Sequence, residues 1–125
     1  MEKDEKTLKI YHYPDESQVI PKILPYAHII SNHVQEIDVR KQPVTETQIA
    51  ELMSMLPSGT SVRDIINDKS DLYKEKYAES DLSDDEWIKV LAHTPELWSI
   101  IAVRGNRAVL VRYENDIEQL NENRP

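Results

Sequence analysis

The sequence predicts an α/β domain: a four-stranded mixed sheet, built from a βαβ unit and a C-terminal β-hairpin and flanked by helices. Three observations predict it. Apolar residues alternate near residues 8–12 and 33–39, with a helix-spaced apolar stretch between, which is the pattern of two parallel strands joined by a crossover helix. Two segments have the form of a capping box, Thr45-x-x-Gln48 and Ser83-x-x-Glu86, and each opens an amphipathic run. Finally, two β-branched apolar stretches flank Gly105-Asn106, the two-residue signal of a tight hairpin.

Each element follows from its residues. Leu8, Ile10 and His12 alternate with Thr7, Lys9 and Tyr11, a short strand. Pro14-Asp15-Glu16-Ser17 is a turn and a helix start, and Val19, Ile20, Ile23, Leu24, Ala27 and Ile30 continue at helical spacing. Pro21 and Pro25 each remove a backbone donor, so a helix over residues 16–30 is bent near 21–25 or starts late. Ile37 and Val39 place a second strand over 33–39. The helix opened by Thr45 carries Ile49, Leu52, Met53 and Leu56 and stops at Pro57-Ser58-Gly59.

Thr60 or Ser61 then caps a short helix with Val62, Ile65 and Ile66. Leu72, Tyr73 and Tyr77 allow one short helix in the polar stretch 67–82. The second capping box opens a helix with Trp87, Ile88, Val90 and Leu91, ending at His93-Thr94-Pro95. Trp98 to Val103 and Ala108 to Tyr113 are the hairpin strands, and Glu114 to Leu120 is a short C-terminal helix. Strand, helix, strand, several helices, hairpin, helix is the element order of a thioredoxin-like fold with a helical insertion before the hairpin.

Composition bounds the chemistry. The 125 residues suit one domain, 1–125, with mobile ends at 1–6 and 121–125. Cysteine is absent, so disulfides, thiolate metal sites and thiol redox chemistry by this chain's own residues are excluded. With 23 acidic and 15 basic residues the net charge is −8, which disfavours general nucleic-acid or anionic-lipid binding. Arg104, Arg107 and Arg112 read as a solvated hairpin face. No apolar run approaches membrane-span length and the charged start lacks a signal-peptide stretch, so a cytoplasmic protein with no membrane contact is expected.

Other constellations carry little. The four histidines lack metal-site spacing, so no metal is expected. Glu16 beside His12 could form an acid–base pair, but a helix cap and a half-buried histidine explain them more simply. Asp81, Asp84, Asp85 and Glu86 follow the acidic preference of helix starts rather than a calcium loop. Only Gly59 and Gly105 are present, so no phosphate-cradling loop exists and no cofactor is expected. Trp87 reads as core, whereas Trp98 is open to either core packing or an exposed contact.

Several stretches, taken together and in order over residues 8–120, resemble the ArsC-type arsenate reductases and the related Spx regulators. They are Ile10-Tyr11-His12-Tyr13-Pro14-Asp15-Glu16-Ser17, Ser61-Val62-Arg63-Asp64-Ile65-Ile66, Leu72-Tyr73-Lys74, Leu82-Ser83-Asp84-Asp85-Glu86, His93-Thr94-Pro95-Glu96-Leu97 and Val111-Arg112-Tyr113-Glu114-Asn115-Asp116-Ile117. The resemblance implies a nucleophilic Cys two residues after Pro14, where this chain has Glu16. Glu16 and Val19 occupy the Spx Cys-x-x-Cys places. Of the three arginines that the family uses for its anion, the first falls at Asn67, the second at Ser99, and only the third is kept, as Arg112. The cis-proline position falls at Ile100, expected to be trans.

The expectation is therefore an ArsC/Spx-like protein without thiol redox activity. It acts as a protein-interaction or regulatory module through the former active-site rim: Tyr13, Asp15, Glu16, Ser17, Asn67, Trp98, Ser99, Ile100 and Arg112. The alternative is a small-anion or ligand binder, or a non-thiol enzyme, using the start of the first helix and Arg112.

Overall fold

In the computed structural model, residues 7–14 and 19–121 are described. Four strands form one sheet in the order β2-β1-β3-β4: β1 (Leu8–His12), β2 (Val34–Asp38), β3 (Ile101–Arg104) and β4 (Arg107–Leu110). β1 pairs parallel with β2 and antiparallel with β3, and β3 pairs antiparallel with β4. This is the expected mixed sheet, with a βαβ unit extended by a hairpin. Gly105, at φ 64°, supplies the left-handed residue that the two-residue turn requires.

Both faces of the sheet are covered. Leu8, Ile10, Ala102, Val109 and Val111 pack against Ile23, Ala27 and Ile30 of α1 (Val19–Ile30) and against Ile117 and Leu120 of a C-terminal 3-10 helix (Glu114–Leu120). Ile101, Val103 and Ala108 point the other way. They meet Ile49 and Leu52 of α2 (Glu46–Met55), Trp87 and Leu91 of α3 (Asp84–His93) and the turns between these helices. Alternation along the strands thus feeds two separate cores.

The capping boxes form as the sequence predicts. Gln48 N donates to Thr45 Oγ1 (3.1 Å) while Thr45 N donates to Gln48 Oε1 (2.9 Å). Glu86 N donates to Ser83 Oγ (3.2 Å) and Ser83 N to Glu86 Oε1 (2.9 Å). Each box satisfies two donors that a helix start would otherwise leave free.

Several expected boundaries move, each for a local reason. The first helix begins, as described, at Val19, and the part of the predicted 16–30 span before it lies outside the described residues. Pro21 and Pro25 are one turn apart on its exposed face, while Ile23 and Ala27 face the core. β3 starts at Ile101 rather than Trp98, because Trp98 pairs in an isolated bridge with Ile66 and Ser99 N donates to Ile65 O (3.2 Å). β4 ends at Leu110 rather than Tyr113, because the Asp116 carboxylate takes the N–H groups of Arg112 (2.8 Å) and Tyr113 (2.9 Å). The helix in the polar stretch is a π turn, Tyr73–Tyr77, whose two tyrosines lie against Trp87. Asn121, expected in a loose end, is described, and its N–H donates to Glu118 O (3.0 Å). Among the described residues, no helix is long and apolar enough to cross a membrane.

Candidate functional site

At the end of β1, an open groove of about 920 Å³ runs between the start of α1, the 66–72 segment, the 96–100 segment and the residues that follow β4. Tyr13, Asn67, Trp98, Ser99, Ile100 and Arg112, six of the residues singled out from sequence, all line it. Asp15, Glu16 and Ser17 lie outside the described residues, as does any pairing of Glu16 with His12.

Local structure fixes each of the six. The Tyr13 ring lies 5.7 Å under the Arg40 guanidinium, and Arg40 is itself chelated to Asp38 at the end of β2. The Asp38 carboxylate accepts from Arg40 Nε (3.2 Å), Nη2 (3.1 Å) and N (2.9 Å). These bonds, the side-chain ones foremost, hold the Asp38 carboxyl below its ordinary range. Asn67 N donates to Leu97 O (2.8 Å) and Asn67 Oδ1 accepts from Lys69 N (3.1 Å), so its side-chain oxygen closes a tight turn. Ser99 and Ile100 line the groove and are tied by their backbone, Ser99 N donating to Ile65 O (3.2 Å) and Ile100 O accepting from Val111 N (2.9 Å), and the peptide bond before Ile100 is trans.

Trp98 is buried, 4% exposed, so of the two readings the sequence left open the structure shows core packing. Its ring stacks on Tyr11 and its Nε1–H donates to Leu91 O (3.2 Å). Only part of its indole reaches the groove wall, since the sheet and α3 enclose the rest. Burial, and next the Glu51 carboxylate, push the Tyr11 phenol above its ordinary value.

The three hairpin arginines are not a free cationic patch. Arg104 Nη1 donates to Leu120 O (3.1 Å), Arg107 Nη2 donates to Gln119 O, and Arg112 Nη2 donates across the fold to Asp64 O (3.2 Å). Guanidinium groups here serve carbonyls at the ends of short 3-10 helices, where main-chain acceptors lack intrahelical donors.

Sequence reasoning read His12 as half-buried and did not find its contact with Glu36. His12 is 7% exposed, and its Nε2 stands 3.4 Å from Glu36 Oε1 on β2, while Nδ1 is buried without a hydrogen-bond partner. The alternation of β1 does place His12 on the inward face, but its pairing depends on the register of β1 against β2. Among the described residues, no group of three or more acidic or histidine side chains is arranged to hold a metal ion.

Comparison with solved structures places this architecture. An arsenate reductase from Vibrio cholerae superposes with a TM-score of 0.78 at 24% identity, over 94% of this chain and 99% of that one. A Staphylococcus aureus protein solved by NMR gives 0.70 at 21% identity, over 90% and 96% of the two chains. An arsenate reductase (ArsC) related protein from Brucella melitensis gives 0.65 at 10% identity, over 97% and 99%. No family model matches the chain, and no curated protein matches it. The fold is that of the ArsC-type arsenate reductases, a thioredoxin-like sheet with a helical insertion.

Proposed function

We propose that the chain is a divergent ArsC/Spx-type protein that has no thiol redox activity and serves as a protein-interaction or regulatory module through the groove at the end of β1. One observation carries the reading. An ArsC-type scaffold retains an open groove, yet the chain has no cysteine, and Glu16 stands where the resemblance calls for the nucleophile. The anion machinery is depleted in the same places. Asn67 and Ser99 occupy two of the arginine positions, and the remaining Arg112 spends a guanidinium N–H on Asp64 O. Arsenate or phosphate would meet Lys69 and Arg112 set among the carboxylates of Asp68, Asp71 and Glu96, which weighs against the anion-binding reading.

Two measurements test the proposal. Arsenate-dependent NADPH oxidation, coupled through thioredoxin or through glutaredoxin and glutathione, should stay at the no-protein background; turnover above it would overturn the claim. Partner capture by the wild-type chain should be lost in Ser99→Trp, which places a bulky ring at a half-buried position of the groove lining. Equal capture by both proteins would remove the groove from the function.

A further inference from the structure

We infer that the groove receives a cationic segment of a partner protein, a short extended stretch rich in Lys or Arg; this rests on the reading of the groove as an interaction site. Three carboxylates, Asp68, Asp71 and Glu96, line the groove and are exposed. None of their side chains has a hydrogen bond or ion pair among the described residues. Two cations share the lining, Lys69 and Arg112, but the Arg112 guanidinium is directed to Asp64 O. A bond to a carbonyl leaves the guanidinium charged, so the described lining is acidic by one net charge, with its three carboxylates unpaired, the reverse of what an oxyanion site requires.

His12 points to the same ligand chemistry by an independent route. It lines the groove, is more than nine-tenths buried, and sits with Nε2 toward the Glu36 carboxylate. A proton on Nε2 satisfies that contact and leaves Nδ1 as an acceptor, and Nδ1 has no donor. An ammonium or guanidinium group brings only donors, so it can complete the exposed carboxylates, and a small turn of the His12 ring that brings the buried Nδ1 to the groove surface would let it complete the histidine too. An anion would add a further acceptor to a place already short of donors.

The lip supplies the remaining recognition element. Tyr113 borders the groove and is 69% exposed, presenting a ring that a cation can lie against. At about 920 Å³ and open to solvent, the groove is at the top of the size range of small-molecule clefts, a volume that can admit a short peptide segment.

The test is a binding titration with the full chain, using fluorescence anisotropy of a labelled peptide of alternating Lys and Ala. The peptide should bind, and binding should weaken by about tenfold or more as salt rises from about 50 to about 250 mM. Asp68→Asn/Asp71→Asn/Glu96→Gln should lose about tenfold in affinity. A control with the same charge change, Glu75→Gln/Glu79→Gln/Asp81→Asn, should lose less than about twofold. His12→Leu should weaken binding as well, with its thermal melt reporting whether the fold is intact; the surface triple variant decides the matter if it is not. Equal losses in the two triple variants, or equal binding of a Glu-Ala peptide, would overturn the inference. Groove-dependent binding of spermidine without binding of the peptide would overturn the macromolecular partner. A partner captured through the groove by the wild-type chain, with no affinity for the Lys-Ala peptide, would sink this inference and leave the interaction reading standing.

Discussion

Tyr11 and Trp98 stack with ring centroids 6.0 Å apart and planes 20° from parallel. The pair joins the C-terminal half of β1 to the segment that leads into β3, so Tyr11 backs the groove wall that Trp98 lines. Trp98 also donates its indole N–H to Leu91 O, which ties α3 to the same point. Removing the ring should therefore be costly. Trp98→Ala is expected to lose about 3–5 kcal/mol in urea denaturation, as for other buried aromatic truncations. A loss within error of zero would show that the indole does not anchor this wall.

Tyr11 should titrate above the ordinary tyrosine value of 10.0. Burial of the phenol favours its neutral form, and Glu51 adds repulsion toward the phenolate. The folded value is raised above the unfolded one, so the related stability is fully present below the unfolded value and is lost as pH rises through the folded value. Absorbance at alkaline pH, compared between the wild-type chain and Tyr11→Phe, should assign one high-titrating tyrosine to this position.

Asp38 should titrate below its ordinary 3.8, because Arg40 bonds its carboxylate through side chain and backbone. Here the folded value is depressed, so the contribution is present above the unfolded value and fades as pH falls through the folded one. Asp38→Asn should flatten the acid limb of the stability profile. It should also release Arg40 from its place over Tyr13, seen as a shift of the Tyr13 ring resonances.

The two capping boxes should each contribute measurably. Thr45→Ala and Ser83→Ala are each expected to lower stability by about 1 kcal/mol, the usual cost of removing a side-chain N-cap. Chemical denaturation at neutral pH checks both, and Ser→Gly at position 83 should cost only a few tenths of that size.

Asp116 holds the outer lip of the groove by accepting from Arg112 N and Tyr113 N. Asp116→Ala should cost about 1–2 kcal/mol, because the freed N–H groups are exposed and water replaces part of the bond. Hydrogen exchange at Arg112 and Tyr113 should accelerate, while the amide of Val111, bonded to Ile100 O, should remain protected.

Much of this molecule is determined by local sequence. The period-2 pattern at Leu8, Ile10 and His12, the boxes at Thr45 and Ser83, and Gly105-Asn106 all act over a few residues, so each specifies its element without reference to the rest of the chain. Absence of cysteine is likewise complete at the level of sequence. Tertiary structure alone decided the rest, because it depends on register and on contacts between distant segments. It turned Trp98 inward onto Tyr11, sent Arg112 to Asp64, and ended β4 at Leu110 through the Asp116 carboxylate. Parallel pairing of β1 with β2 set His12 beside Glu36 and left Nδ1 unpartnered. No local pattern encodes such pairings, since a shift of one residue along β1 would exchange its buried and exposed faces.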